Sequence, residues 1–183
     1  MLLAAVAGPA SAAEWGIEQL MQALAAVKSS QAAFVELKHV ALLSTPLQSR
    51  GRLLYTAPGK LEKRTLSPRR ESLVLEGNDL TLESGDRKQR RTLRLDDQPV
   101  VRAFVESIRS TLAGDLTTLT RYYAIKLTGS ERQWRLTLKP GGQQVQEFVS
   151  EIQISGSGDT ITRIEFFETS GDRSVMTITR DGP

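Results

Sequence analysis

Between Gln31 and Leu95, and again between Tyr122 and Arg180, apolar and polar side chains alternate in short runs such as FVELKHVALL, GRLLYT, KLEKRTL, ESLVLEG and TLRL, then YYAIKLTG, RQWRLTLKP, VQEFVSEIQIS, ITRIEFFET and SVMTITR. A two-residue period sends successive side chains to opposite faces of a strand. Turn signals separate the runs: Thr45-Pro46, Ala57-Pro58-Gly59, Ser67-Pro68, Gly77-Asn78-Asp79 and Ser84-Gly85-Asp86, then Pro140-Gly141-Gly142, Gly156-Ser157-Gly158-Asp159 and Ser170-Gly171-Asp172. The pattern predicts about ten short strands in antiparallel meanders.

Two segments have a helical period instead. Ile17, Leu20, Met21, Leu24 and Val27 mark one helix face; Val101, Phe104, Val105, Ile108 and Leu112 mark a second, after Asp96-Asp97-Gln98-Pro99, where an acid can cap the first amides and proline is tolerated in the first turn. Gly114 and Asp115 interrupt this helix, and a short turn through Leu116 and Leu119 leads back to strand. A sheet this long exposes an apolar face unless it curls around something. The expected architecture is therefore α+β: a strongly curved antiparallel sheet, or half barrel, with helices over its concave apolar side. Alternation assigns Leu53, Tyr55, Leu73, Leu75, Trp134, Leu136, Phe148 and Ile164 to that side, with Leu24 and Phe104 above it. The enclosed space is either a packed core or a ligand cavity.

Composition narrows the chemistry. The 183 residues hold no cysteine and one histidine, which excludes disulfide scaffolds, thiolate metal centres, cysteine nucleophiles and any site needing two histidines. No metal or cofactor is expected. Residues 1–13, MLLAAVAGPASAA, are uncharged and apolar and end in small residues, an A-x-A-type cleavage pattern before Glu14 without a basic n-region. They read as the end of a secretory signal or as an apolar arm; the first reading makes residues 14–183 one exported periplasmic domain with no cysteine for a lipid anchor.

Arg87-Lys88-Gln89-Arg90-Arg91 is the densest charge. It reads as a solvated hairpin or, through Arg87, Lys88, Arg90 and Arg91, as a docking surface for an anionic membrane or acidic partner. Export and the absence of interleaved aromatics count against nucleic acid. His39 reads as an ordinary strand residue, Asp96 and Asp97 as a helix cap rather than an acid/base pair, and Gly156 to Asp159 as a hairpin loop rather than an anion nest.

Several pieces occur in an order that resembles the LolA-like periplasmic outer-membrane lipoprotein-carrier superfamily. They are Phe34-Val35-Glu36, Gly51-Arg52-Leu53 leading to Ala57-Pro58-Gly59-Lys60-Leu61, Leu73 through Leu80, Tyr123-Ala124-Ile125, Leu136 through Pro140, and Ile161 through Phe166. The resemblance implies a half barrel with a helical lid that shelters the acyl chains of a lipoprotein, taken from an inner-membrane donor and passed to an outer-membrane acceptor, by a monomer touching the membrane surface only transiently. It departs from the carriers in three places. Ala57 stands where they typically have a basic residue that hydrogen-bonds the lid, aromatic residues are few, and the chain ends at Pro183 without the carriers' extra C-terminal segment. A glycolipid or pigment-like cargo is the alternative within the class. A non-transporting binding module, like the LolA-like domain of regulators that bind anti-sigma factors, is the alternative outside it. An enzyme is disfavoured, because nothing places a base beside a nucleophile.

Overall fold

A computed structural model of the chain describes residues 15–85 and 89–182; the stretch read as a signal, together with Arg87 and Lys88, lies outside the described residues. Eleven strands form one antiparallel sheet: β1 (Ser29–His39), β2 (Leu47–Thr56), β3 (Lys60–Ser67), β4 (Glu71–Glu76), β5 (Asp79–Ser84), β6 (Gln89–Arg94), β7 (Tyr123–Ser130), β8 (Gln133–Pro140), β9 (Val149–Ser157), β10 (Thr160–Glu168) and β11 (Arg173–Arg180). The strand beyond the expected ten is β5, enclosed by two of the turn signals. The order β6-β5-β4-β3-β2-β1-β11-β10-β9-β8-β7 joins two meanders through β1 and β11. Consecutive strands β6 and β7 therefore lie at opposite edges, and the chain between them must cross the sheet. It does so as α2 (Pro99–Ala113) and α3 (Leu116–Tyr122). The sheet is curved and open, not closed into a barrel.

Local chemistry sets the helix ends. Pro99 opens α2, where its missing N–H costs nothing. Asp96 does not cap this helix as expected; its carboxylate instead accepts from Arg102 at 2.6 Å and from Asn78 at 2.7 Å. At the far end Gly114 adopts φ +66°, with its N–H on the carbonyls of Ser110 and Thr111. A Cβ there would lie 2.2 Å from the Met21 carbonyl oxygen, so α1 (Ile17–Ala26) packs directly on this turn. Asp115 then caps α3 by accepting from the Thr118 N–H at 2.9 Å.

A fourth short helix, α4 (Gln143–Gln146), occupies the segment read as the start of a strand, and β9 begins only at Val149. The β9–β10 ladder skips Ser150. This bulge shifts the inward parity by one residue, so Val149 points inward and Phe148 does not.

The core is uneven. Leu20, Met21 and Leu24 of α1 and Leu119 of α3 pack with Trp134, Leu136, Leu138, Ile152 and Ile154 into a dense cluster over β7–β10. Trp134 is flanked in the ladder by Gly129 and Gly156, and its indole N–H donates to the Gly158 carbonyl at 3.0 Å. Over β4–β6 only Leu75, Leu80, Leu95 and Val105 form a second, smaller buried group.

Candidate functional site

Since α1 and α3 pack mainly over β7–β10, the β3–β6 side of the concave face is left to α2. A cavity of about 510 Å³ lies there, between Val101, Phe104, Val105 and Ile108 of α2 and Leu61, Leu73, Leu75, Leu80, Leu82, Leu93, Ile164, Phe166 and Met176 of the sheet. A second cavity of about 180 Å³ lies between Leu24, Val27 and Leu112 and the strand residues Ala32, Leu53, Tyr55, Ile161 and Ile178. Leu61, Lys63, Leu73 and Ile164 line both.

Antiparallel pairing sorts the connections to two ends of the sheet. Residues 57–59, 77–78, 131–132 and 158–159 lie at one end, and 40–46, 68–70, 141–148 and 169–172 at the other, beside the paired residues Ser84 and Gln89. Helix α2 is fastened at the first, closed end. Arg109 donates to the Gly77 carbonyl at 2.5 Å and packs on Gly59, where a Cβ would meet its Cδ at 2.8 Å. Arg109 is itself held by the buried Glu106, which also accepts from Ser110 at 3.0 Å. Arg109 thus joins the helix to two turns at this end. Toward the other end, Tyr123, whose hydroxyl donates to the Ala103 carbonyl at 2.8 Å, and the Phe104–Phe166 stack, with centroids 4.4 Å apart, also hold the helix. Burial pushes the Tyr123 hydroxyl well above the usual phenol range, so it stays a donor.

Toward the other end the cavity wall becomes charged. Glu36 accepts from Lys63 Nζ at 2.6 Å, from Ser174 at 2.6 Å and from Ser49 at 3.3 Å, while the same ammonium lies 4.9 Å from the Phe34 ring centroid. Burial alone would raise the Glu36 carboxyl, but the Lys63 ammonium and these three donors outweigh it and hold the group below its ordinary value. Beyond this pair, Lys38 meets Glu168 at 3.0 Å. The side chains there are partly exposed, as is Phe104 at 40%, so the larger cavity opens at this mouth end.

Leu53, Tyr55, Leu73 and Ile164 line the smaller cavity, and Leu73, Leu75 and Ile164 the larger. Leu24 and Phe104 separate: Leu24 is a buried core residue at the wall of the smaller cavity, whereas Phe104 sits on the cover. Three expectations need correction. Trp134 and Leu136 belong to the dense core rather than a cavity wall, because α1 and α3 pack on their strands. Phe148 is 57% exposed beyond the start of β9, for the bulge reason given above. Of the basic run, Arg90 faces Glu83 at 3.3 Å and Arg91 pairs with Leu82 in the ladder, both exposed. His39 ends β1 as an exposed strand residue. Glu36 and Lys63 were missed as site residues. The signal was present, since both share inward parity with Phe34 and Leu61.

An open antiparallel sheet cupped around a largely apolar cavity, with one helix as cover and two ion pairs in its wall, defines a binding fold of the α+β type. The family model "outer membrane lipoprotein carrier protein LolA-like" matches residues 7–179, and the chain belongs to that family. The family fold is generally a binding or carrier fold, and its outer-membrane lipoprotein-sorting members are periplasmic. No curated protein matches the chain. Among solved structures, a putative outer membrane lipoprotein-sorting protein domain from Vibrio parahaemolyticus is 9% identical, with 88% of each chain covered and a TM-score of 0.51. A LolA superfamily protein from Nitrosomonas europaea is 13% identical over 91% of this chain and 94% of its own, with a TM-score of 0.47. The MucA/MucB complex of Pseudomonas aeruginosa is 13% identical over 89% of this chain and 55% of that chain, at 0.47. Among the described residues no helix is long and apolar enough to cross a membrane.

Proposed function

We propose that this chain is a periplasmic carrier, not an enzyme, that takes the acyl or other long apolar chains of lipid-bearing cargo beneath α2 and passes them from an inner-membrane donor to an outer-membrane acceptor. The observation that supports this most is the larger cavity. At about 510 Å³ it falls within the ~300–1,000 Å³ typical of small-molecule sites. Its wall is apolar except for Ser174 and the Glu36–Lys63 and Lys38–Glu168 pairs. Each methylene moved out of water is worth ~0.8 kcal/mol, so an acyl chain crossing an aqueous compartment needs such a wall. The Glu36–Lys63 pair leaves a polar place for the part of the cargo that stays wet. Release is served by a cover held through a few discrete contacts rather than by a continuous core.

The test is uptake of a fluorescent fatty acid by the wild type and by Phe104→Asp. The substitution is expected to abolish uptake while lowering stability by about 2 kcal/mol, short of unfolding, because Phe104 is already 40% exposed and loses mainly its stack on Phe166. No uptake by the wild type, or unfolding of the variant, would overturn the reading. Native mass spectrometry of protein isolated from periplasm separates lipoprotein from glycolipid or pigment cargo by mass.

A further inference from the structure

The large apolar side chains left exposed are not scattered. Among the described residues there are eight, and five of them, Leu42, Leu43, Leu47, Leu66 and Phe148, stand at the mouth end of the sheet. Two more, Leu82 and Phe104, line the larger cavity. The connections at the closed end carry none. Single exposed leucines are ordinary, but five gathered at one end mark a contact surface.

The β1–β2 connection is its most prominent part. β1 leaves the sheet at His39, although the apolar run continues to Leu43. The loop base is tied down by Asp172, which accepts from the Ala41 N–H at 3.0 Å, and by the Leu43 N–H on the Val40 carbonyl at 2.8 Å. Leu42 is left 95% exposed between these anchors. Leu66, 54% exposed, sits at the β2–β3 bulge that pairs Arg50 with Ser67 and Gly51 with Thr65. The same end carries cations. Arg50, Arg69, Arg70 and Arg91 are exposed and make no ion pair among the described residues, against Glu71, Glu147, Glu151 and Asp172 as acids that make none.

We propose that the mouth end docks on an anionic bilayer surface, with Leu42 and Leu43 seated at the boundary of headgroups and acyl chains and Arg69 and Arg70 against lipid phosphates. A polar cleft lies beside Leu66 and Arg70, but Leu42 stands clear of it, 95% exposed on its loop, and such an apolar tip flanked by arginines matches a fluid surface that is negative outside and apolar a few ångströms in. Docking in this pose sets the cavity mouth against the lipid. It goes beyond the carrier reading and holds or fails without reference to cargo.

The test is co-sedimentation of the whole chain with phosphatidylglycerol-containing vesicles and with phosphatidylcholine vesicles. Binding to the anionic vesicles alone is expected, weakening with salt. Leu42→Asp/Leu43→Asp and Arg69→Ala/Arg70→Ala are each expected to weaken it about tenfold or more. Val35→Asp, at an exposed apolar position on the convex face, should bind as the wild type does. As a second measurement, Leu42→Trp should gain emission that brominated lipids quench. Absence of vesicle binding, an equal loss in Val35→Asp, or a failure of brominated lipids to quench the indole introduced by Leu42→Trp would overturn the proposal, and a surface meant for an acidic protein would give the first of these.

Discussion

Arg109→Ala tests how the cover is held. Glu106 is 4% exposed and relies on Arg109 for its charge partner, with Ser110 as its remaining hydrogen-bond donor. Removing one member of a buried pair costs ~3–5 kcal/mol, because the other charge is stranded. The Arg109 side chain retains 19% exposure, so water reaches the vacated space and the lower end of that range applies. Loss of the bond to the Gly77 carbonyl adds ~1 kcal/mol. The total is about 3–4 kcal/mol, or a fall of roughly 6–16 °C in Tm for a chain of this size. Glu106→Leu/Arg109→Leu strands no charge and should recover all but about 1 kcal/mol. Urea unfolding followed through the buried Trp134 measures both. A single variant within about 0.5 kcal/mol of wild type would refute the argument. So would a double variant as weak as the single, which would assign the effect to packing on Gly59 instead.

Gly156→Ala should destabilise by about 1–3 kcal/mol, because its Cβ would lie 2.1 Å from the Thr160 carbonyl oxygen and 2.5 Å from Trp134 Cζ2; Gly142→Ala, with open space around it, should be close to neutral in the same unfolding assay. Acid should weaken the fold through Glu36 and Glu165. For both carboxyls burial pulls upward, but Lys63 with Ser174 and Ser49, and Arg163 with Arg173, prevail and leave them below the ordinary value of 4.5. A carboxylate with a depressed folded value contributes stability that is fully present above its unfolded value and lost as pH falls through the folded one. Urea midpoints should therefore drop below about pH 4.5, and Glu36→Gln/Glu165→Gln should flatten that drop; an unchanged slope would remove these groups from the account.

Much of this fold is local and was legible. Alternation depends only on the backbone's two-residue repeat, so the inward parity of Leu53, Tyr55, Leu73, Leu75, Trp134, Leu136 and Ile164 could be read along the chain, as could the turns and both long helices. Phe148 shows the limit. One bulged residue inverts parity, and nothing in VQEFVSEIQIS distinguishes a short helix and turn from an earlier strand start. Glu36 and Lys63 show another: each was visible as an inward polar residue, but only the β2–β3 and β1–β2 registers bring them together.

The sequence by itself determined that there would be a curved antiparallel sheet with one apolar face and helices over it, and left open whether the space between them is core or cavity. Only the tertiary structure decided which half of that face is core and which is cavity. Pairing of β1 with β11 sends β6 and β7 to opposite edges, the connection must then cross the concave side, and α1 and α3 come to rest mainly over β7–β10 while the β3–β6 side is left to α2. Identical alternating patterns consequently have different fates, Trp134 and Leu136 in close packing and Leu73 and Leu75 against open space, because burial is set by what lands opposite a residue and not by the residue's own strand.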